Sequence, residues 1–240
     1  MNKKIILSFF GSLLFLSQAA NAEIKIGQGS LTFNAGVSSQ YIFRGIDQNK
    51  DVASPFVGAD FTHPVVGDFN LYLGAWGGAQ DNVGGAGGQE IDYYAGITKS
   101  FGPATLDLGY IIMNYPNADV KSEKVVSEGY AKITIAPDKQ PYTFGAAYYA
   151  DDTGGYKTGT KEVGGSYYEF NATYNFGPVQ GLVSYGVFEH ESETITVSAS
   201  KEIAGIGFTL SYIDAQKDGS NGTALNKDRE YVTLSAKKVF

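Results

Sequence analysis

The residues able to do chemistry are few, and their spacing restricts what they can do. The chain has two histidines, His63 and His190, and no cysteine. A Ser-His-Asp arrangement must therefore use one of those two. His63 immediately precedes Pro64, and His190 lies in the short acidic stretch Glu189-His190-Glu191, so neither sits in a catalytic motif. The nearest approach to a nucleophile elbow is Gly181-Leu-Val-Ser184-Tyr-Gly186. Its spacing is wrong for G-x-S-x-G, and it lies within a strand pattern rather than at a strand-to-helix turn. The run Gly84-Gly85-Ala86-Gly87-Gly88 lacks the Lys-Ser/Thr and the helix of a phosphate-cradling loop. Asp214 to Gly219 begins like a calcium loop, but the twelfth position is Leu225, where a bidentate glutamate is needed. The absence of cysteine excludes thiolate metal sites and disulfides alike. The expectation is a protein that is not an enzyme, with no catalytic residues, no metal site and no cofactor.

A different chemistry is carried by charged residues that recur at alternate positions. Asp60, Glu90, Asp92, Asp107, Glu128 and Glu169 fall on the polar parity of alternating segments, as do Lys132, Arg229 and Lys237, with Arg44 at a segment end. Six carboxylates on one face, with fewer cations, make an acidic surface whose effect depends on what encloses it.

The elements that position them have a period of two. In the last stretch, Asp228 to Phe240, Val232, Leu234, Ala236 and Phe240 alternate with Arg229, Tyr231, Thr233, Ser235 and Lys237. Lys238 breaks the apolar face near an end, where its stem can snorkel to an interface. Twelve such segments can be marked: 30–42, 53–63, 69–79, 89–101, 104–114, 126–136, 141–150, 166–176, 179–188, 194–201, 206–214 and 228–240. Each is near the ~10 residues a tilted transmembrane strand needs. Segment 179–188 is mixed, because Leu182 and Phe188 fall on its polar side. The connections at 43–52, 80–88, 115–125, 151–165 and 215–227 are long and polar. Those at 64–68, 102–103, 137–140, 177–178 and 202–205 are tight, and 190–192 is the one short connection on the long-loop side. Long loops at one end and turns at the other are expected of an outer-membrane barrel, and a soluble sandwich has no reason for them. In that fold an Arg or Lys on the lipid face costs roughly 2–4 kcal/mol at the membrane midplane. The charged parity must therefore face inward.

Composition agrees. Glycine numbers 31, and tyrosine and phenylalanine number 17 and 15, a mixture suited to tight turns and aromatic girdles. Residues 1–22 read as a cleaved signal peptide: Lys3 and Lys4, an apolar run from Ile5 to Leu16, and Ala20-Asn21-Ala22 before the cut. The mature domain is then 23–240, with 16 basic residues left of 18 against 25 acidic ones, a net charge of −9. Such a surface repels nucleic acid. Ending on an aromatic, Phe240 resembles the C-terminal signal by which barrel-assembly machinery recognises its clients, which implies that partner.

The segment Ser38-Ser-Gln40-Tyr41-Ile-Phe43-Arg44-Gly45-Ile-Asp-Gln48 is more specific than periodicity. It resembles the S-x-D-Y-x-F-R-G-I-x-Q signature of the TorF family of proteobacterial porins. Tyr72-Leu-Gly-Ala-Trp76, Glu90-Ile-Asp92-Tyr-Tyr-Ala-Gly96, Leu108-Gly-Tyr110 and Tyr115-Pro116 agree in order, over about the first half of the mature chain. Gln40 departs from the usual aspartate, which bears on the polar contact made by Arg44. The resemblance implies a Gram-negative outer-membrane location and a pore, with no catalytic residues to carry over. The expected fold is all-β, a transmembrane antiparallel up-and-down barrel of about twelve strands, embedded in outer-membrane lipid. The expected function is passive passage of small hydrophilic solutes or ions, with cations preferred. A closed structural or surface-binding barrel is the alternative.

Overall fold

The computed structural model describes residues 23–80, 88–117, 125–152, 156–158, 161–163, 165–189, 191–217 and 227–240. Residues 1–22, expected to be a signal peptide, lie outside the described residues, as do His190, most of the glycine run and the end of the calcium-like loop. The strands are β1 (Ile24–Ile26), β2 (Gly29–Ser38), β3 (Ile42–Phe43), β4 (Ile46–Asp47), β5 (Ser54–Pro64), β6 (Phe69–Gln80) and β7 (Gly88–Phe101). They continue with β8 (Ala104–Asn114), β9 (Val125–Ile135), β10 (Tyr142–Asp151), β11 (Tyr156–Thr158), β12 (Lys161–Val163) and β13 (Tyr167–Asn175). The last four are β14 (Gln180–Phe188), β15 (Ser192–Ile203), β16 (Ile206–Lys217) and β17 (Arg229–Val239).

Twelve of these close into one antiparallel ring, β2-β17-β16-β15-β14-β13-β10-β9-β8-β7-β6-β5 and back to β2. Closure leaves no unpaired edge, which is what a strand needs inside a hydrocarbon layer. The seam is the β17–β2 ladder, from Ser235 opposite Ser38 to Val239 opposite Asn34. Phe240 and Phe33 then exchange both backbone hydrogen bonds, at 2.8 and 3.2 Å. Beyond that point β1 takes over along β2, with Ile24 opposite Leu31. That short strand carries too little alternation to be legible in sequence.

The pleat sorts the side chains inside out. Val57, Leu73, Phe170, Val197, Leu210 and Val232 are exposed, Phe170 by 62% and Val232 by 65%, while Glu90, Asp92, Thr209 and Ser235 are buried. Exposed apolar surface in a continuous band is a lipid face. Leu182 lies on the inner face of β14 with Ser184, across from Ser198, so the mixed segment keeps one register. Outward tyrosines near the long-loop end bond acidic residues at the rim: Tyr110 Oη to Asp152, 2.7 Å, and Tyr185 Oη to Glu193, 2.7 Å. At the other end lysines lie over phenylalanines, Lys99 Nζ 4.0 Å from the Phe69 centroid and Lys238 Nζ 5.3 Å from Phe240. Amphipathic side chains at both levels mark two interfaces.

One expected strand is wrong in extent. The segment 30–42 leaves the barrel wall after Ser38, and its last residue joins the start of the polar connection 43–52 in the β3–β4 hairpin. A second small hairpin, β11–β12, lies in the connection 151–165.

Candidate functional site

The β3–β4 hairpin turns through Arg44 and Gly45, with φ of 50° and 82°. Two left-handed residues in a two-residue loop make a type I′ turn, which normally takes Asn or Gly first. Arginine there is unfavourable by about 1–2 kcal/mol, so its side chain must be held by what surrounds it.

The surroundings are the barrel interior. Arg44 Nη1 and Nη2 donate to Glu128 Oε1 and Oε2 at 2.5 and 2.6 Å, with the two side chains only 5% and 4% exposed. The guanidinium also lies 4.4 Å from the Tyr167 centroid, 4.7 Å from Phe43, 4.9 Å from Tyr149 and 5.2 Å from Phe188. A planar cation between rings and a fork-matched carboxylate combines both strong modes of arginine binding. The turn is seated on the other side: Ser192 Oγ donates to the Arg44 carbonyl, 2.6 Å, and a methyl on Gly45 would strike Thr194 and Ala215. Ile46 packs with Ala215 and Tyr231, and Phe43 packs on the cluster of Tyr94, Ile111, Met113, Tyr115 and Tyr130. Glu128 is on β9 and Tyr231 on β17, six strands apart in a ring of twelve. The hairpin therefore crosses the lumen from one wall to the opposite one.

The signature residues thus act together. Tyr41 has the sequence parity of the lipid-facing Val37, yet its ring lies 5.6 Å from Trp76 and its hydroxyl is buried. The chain has already left the β2 pleat there, so parity no longer assigns a face. Arg44 does not pair within its own loop. Gln40 does, donating to Asp51 Oδ1 at 2.7 Å.

The inward carboxylates divide by partner. Asp107 is 3.7 Å from Lys132 Nζ and accepts from Tyr72 Oη at 2.6 Å, and Tyr72 and Tyr130 share a hydrogen bond through their hydroxyls. Asp60 accepts from Tyr94 Oη. Glu169 accepts from Tyr167 Oη, 2.9 Å, and Asn171 Nδ2, 3.0 Å. Glu90 accepts from Tyr115 Oη at 3.2 Å, and neither oxygen of the buried Asp92 has a hydrogen-bond partner among the described residues. Lys237 is on the same inner parity of β17, whereas Arg229 is exposed at the long-loop end of that strand. Ser184, buried on the inner face of β14, has no histidine beside it among the described residues. His63 is stacked on Phe61, with centroids 6.3 Å apart.

Glycine makes this network possible. Tyr94 lies over Gly74 on its way from β7 to Asp60 on β5, and Tyr72 lies over Gly96 on its way from β6 to Asp107 on β8. A side chain in either gap would push the ring off the wall. The opposite wall carries small hydroxyls instead, among them Thr196, Ser198, Ser211 and Thr233, all buried.

The barrel resembles solved outer-membrane channels. It aligns with a structure described as the KdgM porin at TM-score 0.51 and 10% identity, over 87% of this chain and 96% of that one. It aligns with an outer-membrane channel from Pseudomonas putida F1 at TM-score 0.51 and 11% identity, over 88% and 94%. At such identities the likeness is one of fold: a closed antiparallel β-barrel like those of these channels. No curated protein matches the sequence. A family model does match residues 25–240, which take in the full run of barrel strands, so the protein belongs to the family described as "Bacterial protein of unknown function (Gcw_chp)".

Proposed function

We propose that the protein is a Gram-negative outer-membrane channel for small hydrophilic solutes, favouring cations, whose lumen is gated by the β3–β4 hairpin. The carrying observation is the hairpin itself: a segment held by a buried, bidentate Arg44–Glu128 latch inside a closed barrel whose outer face is apolar. The resemblance of residues 38–48 to the TorF porin signature supports the reading, because the resembling residues are those that cross the lumen. Cation preference rests on the inner face, where Glu90, Asp92 and Glu169 add to carboxylates already beside Arg44 and Lys132. In a narrow channel the effective dielectric is below that of bulk water, so an excess of one sign acts strongly on ions.

A second reading, a barrel that conducts nothing, is favoured by the burial of most lumen-facing side chains. Planar-bilayer recording of refolded protein separates the two. The expected result is conductance with a cation-selective reversal potential under a KCl gradient, weakened when Glu90 and Asp92 are replaced together by Gln and Asn. An anion-selective potential sinks the charge argument, and no conductance in wild type or in a hairpin-released variant establishes the closed barrel.

A further inference from the structure

The cavity that holds the Arg44 guanidinium is built almost entirely by the wall. Glu128 comes from β9, Tyr149 from β10, Tyr167 from β13 and Phe188 from β14, four consecutive strands of the ring. Only Phe43 comes from the hairpin. The patch therefore belongs to the fixed frame, and Arg44 is delivered to it by a turn whose backbone adopts an unfavourable conformation to do so. Vacating it is costly, because Glu128 would be left buried and unpaired. A cation of the same shape, arriving from the long-loop side, removes that cost.

We propose that this patch is a recognition site for guanidinium-bearing solutes, and that Arg44 is a tethered surrogate ligand which such a solute displaces to release the hairpin. Assigning those solutes as permeants rests on the channel reading; the site itself does not. A fork-matched carboxylate with rings on both flanks discriminates by shape. A planar guanidinium satisfies both carboxylate oxygens, an alkylammonium presents only a point charge, and a neutral planar amide such as urea lacks the charge. Tethering gives Arg44 an effective concentration of about millimolar order. Free guanidinium compounds should therefore compete in wild type only at or above about millimolar levels, and should bind much more tightly once the surrogate is gone.

The test is calorimetric titration of Arg44→Ala protein, refolded in detergent and checked for heat-modifiable migration, with n-propylguanidinium, n-butylammonium and urea. The expected result is saturable binding of n-propylguanidinium, at least tenfold tighter than to wild type and at least tenfold tighter than either comparison compound, and lost in Arg44→Ala/Glu128→Gln. Equal binding by wild type and Arg44→Ala, or binding indifferent to Glu128→Gln, overturns the proposal. The wild-type protein supplies an independent measurement. Millimolar agmatine should speed tryptic cleavage after Arg44 at least fivefold, and NaCl of equal ionic strength should not; equal acceleration by both overturns displacement. Guanidinium binding without conductance in any variant upholds the site while sinking the channel reading. Conductance without guanidinium binding does the reverse.

Discussion

Replacing Glu128 with Ala removes the wall half of the latch. The two side chains are 5% and 4% exposed and joined by hydrogen bonds of 2.5 and 2.6 Å. Removing one partner from such a buried pair costs about 3–5 kcal/mol. The ring of strands does not pass through residues 39–53, so the loss falls on docking of the hairpin and leaves the barrel fold intact. At 1.36 kcal/mol per decade that is a shift of about two to three and a half decades toward release. The rings around Arg44 retain their attraction for it, about 0.5–2 kcal/mol each, which places the expectation at the lower end, about 100-fold. Limited trypsinolysis reads this directly, because Arg44 is sheltered while docked. When opening is fast relative to cleavage, the rate tracks the released population. Cleavage after Arg44, resolved from cleavage after the exposed Lys50 by mass spectrometry, should accelerate about 100-fold in Glu128→Ala and less in Glu128→Gln. A rate within about threefold of wild type, in protein that still shows heat-modifiable migration, refutes the latch.

Two further outcomes test the frame. Phe240→Asp leaves the backbone exchange with Phe33 available but puts a charge on the lipid side of the seam, so membrane assembly should fall and protease-sensitive chain should accumulate; normal membrane yield contradicts the closing role of that residue. Gly109→Ala places a methyl against the Tyr130 ring and the Tyr72 hydroxyl and should destabilise the barrel by about 1–3 kcal/mol in urea unfolding from lipid vesicles, whereas Gly129→Ala, whose nearest neighbour is Tyr110 at 4.0 Å, should be neutral within about 0.5 kcal/mol; equal effects would mean that ring-over-glycine packing does not hold the inner wall.

What the sequence by itself determined follows from the period-two pleat. Alternation is local, so it marks twelve strands, gives each a lipid side and a lumen side, and sends Glu90, Asp92, Asp107, Glu128 and Glu169 inward without knowledge of any partner. It stops being informative where the pleat stops. Tyr41 is three residues past the end of β2, and its parity assigns a face to a strand that no longer exists. Arg44 meets Glu128 across 84 residues of sequence, and nothing in the polarity of residues 43–52 separates a loop that enters water from one that enters a polar lumen. That difference appears only once the ring is closed and opposite walls come within a hairpin's reach. Register has the same character. Glycine on the inner parity is readable, but which ring covers it depends on how neighbouring strands slide past each other, and the closed ladder alone sets Tyr94 over Gly74 and Tyr72 over Gly96. Local pattern fixes which way side chains face, and closure fixes what they meet.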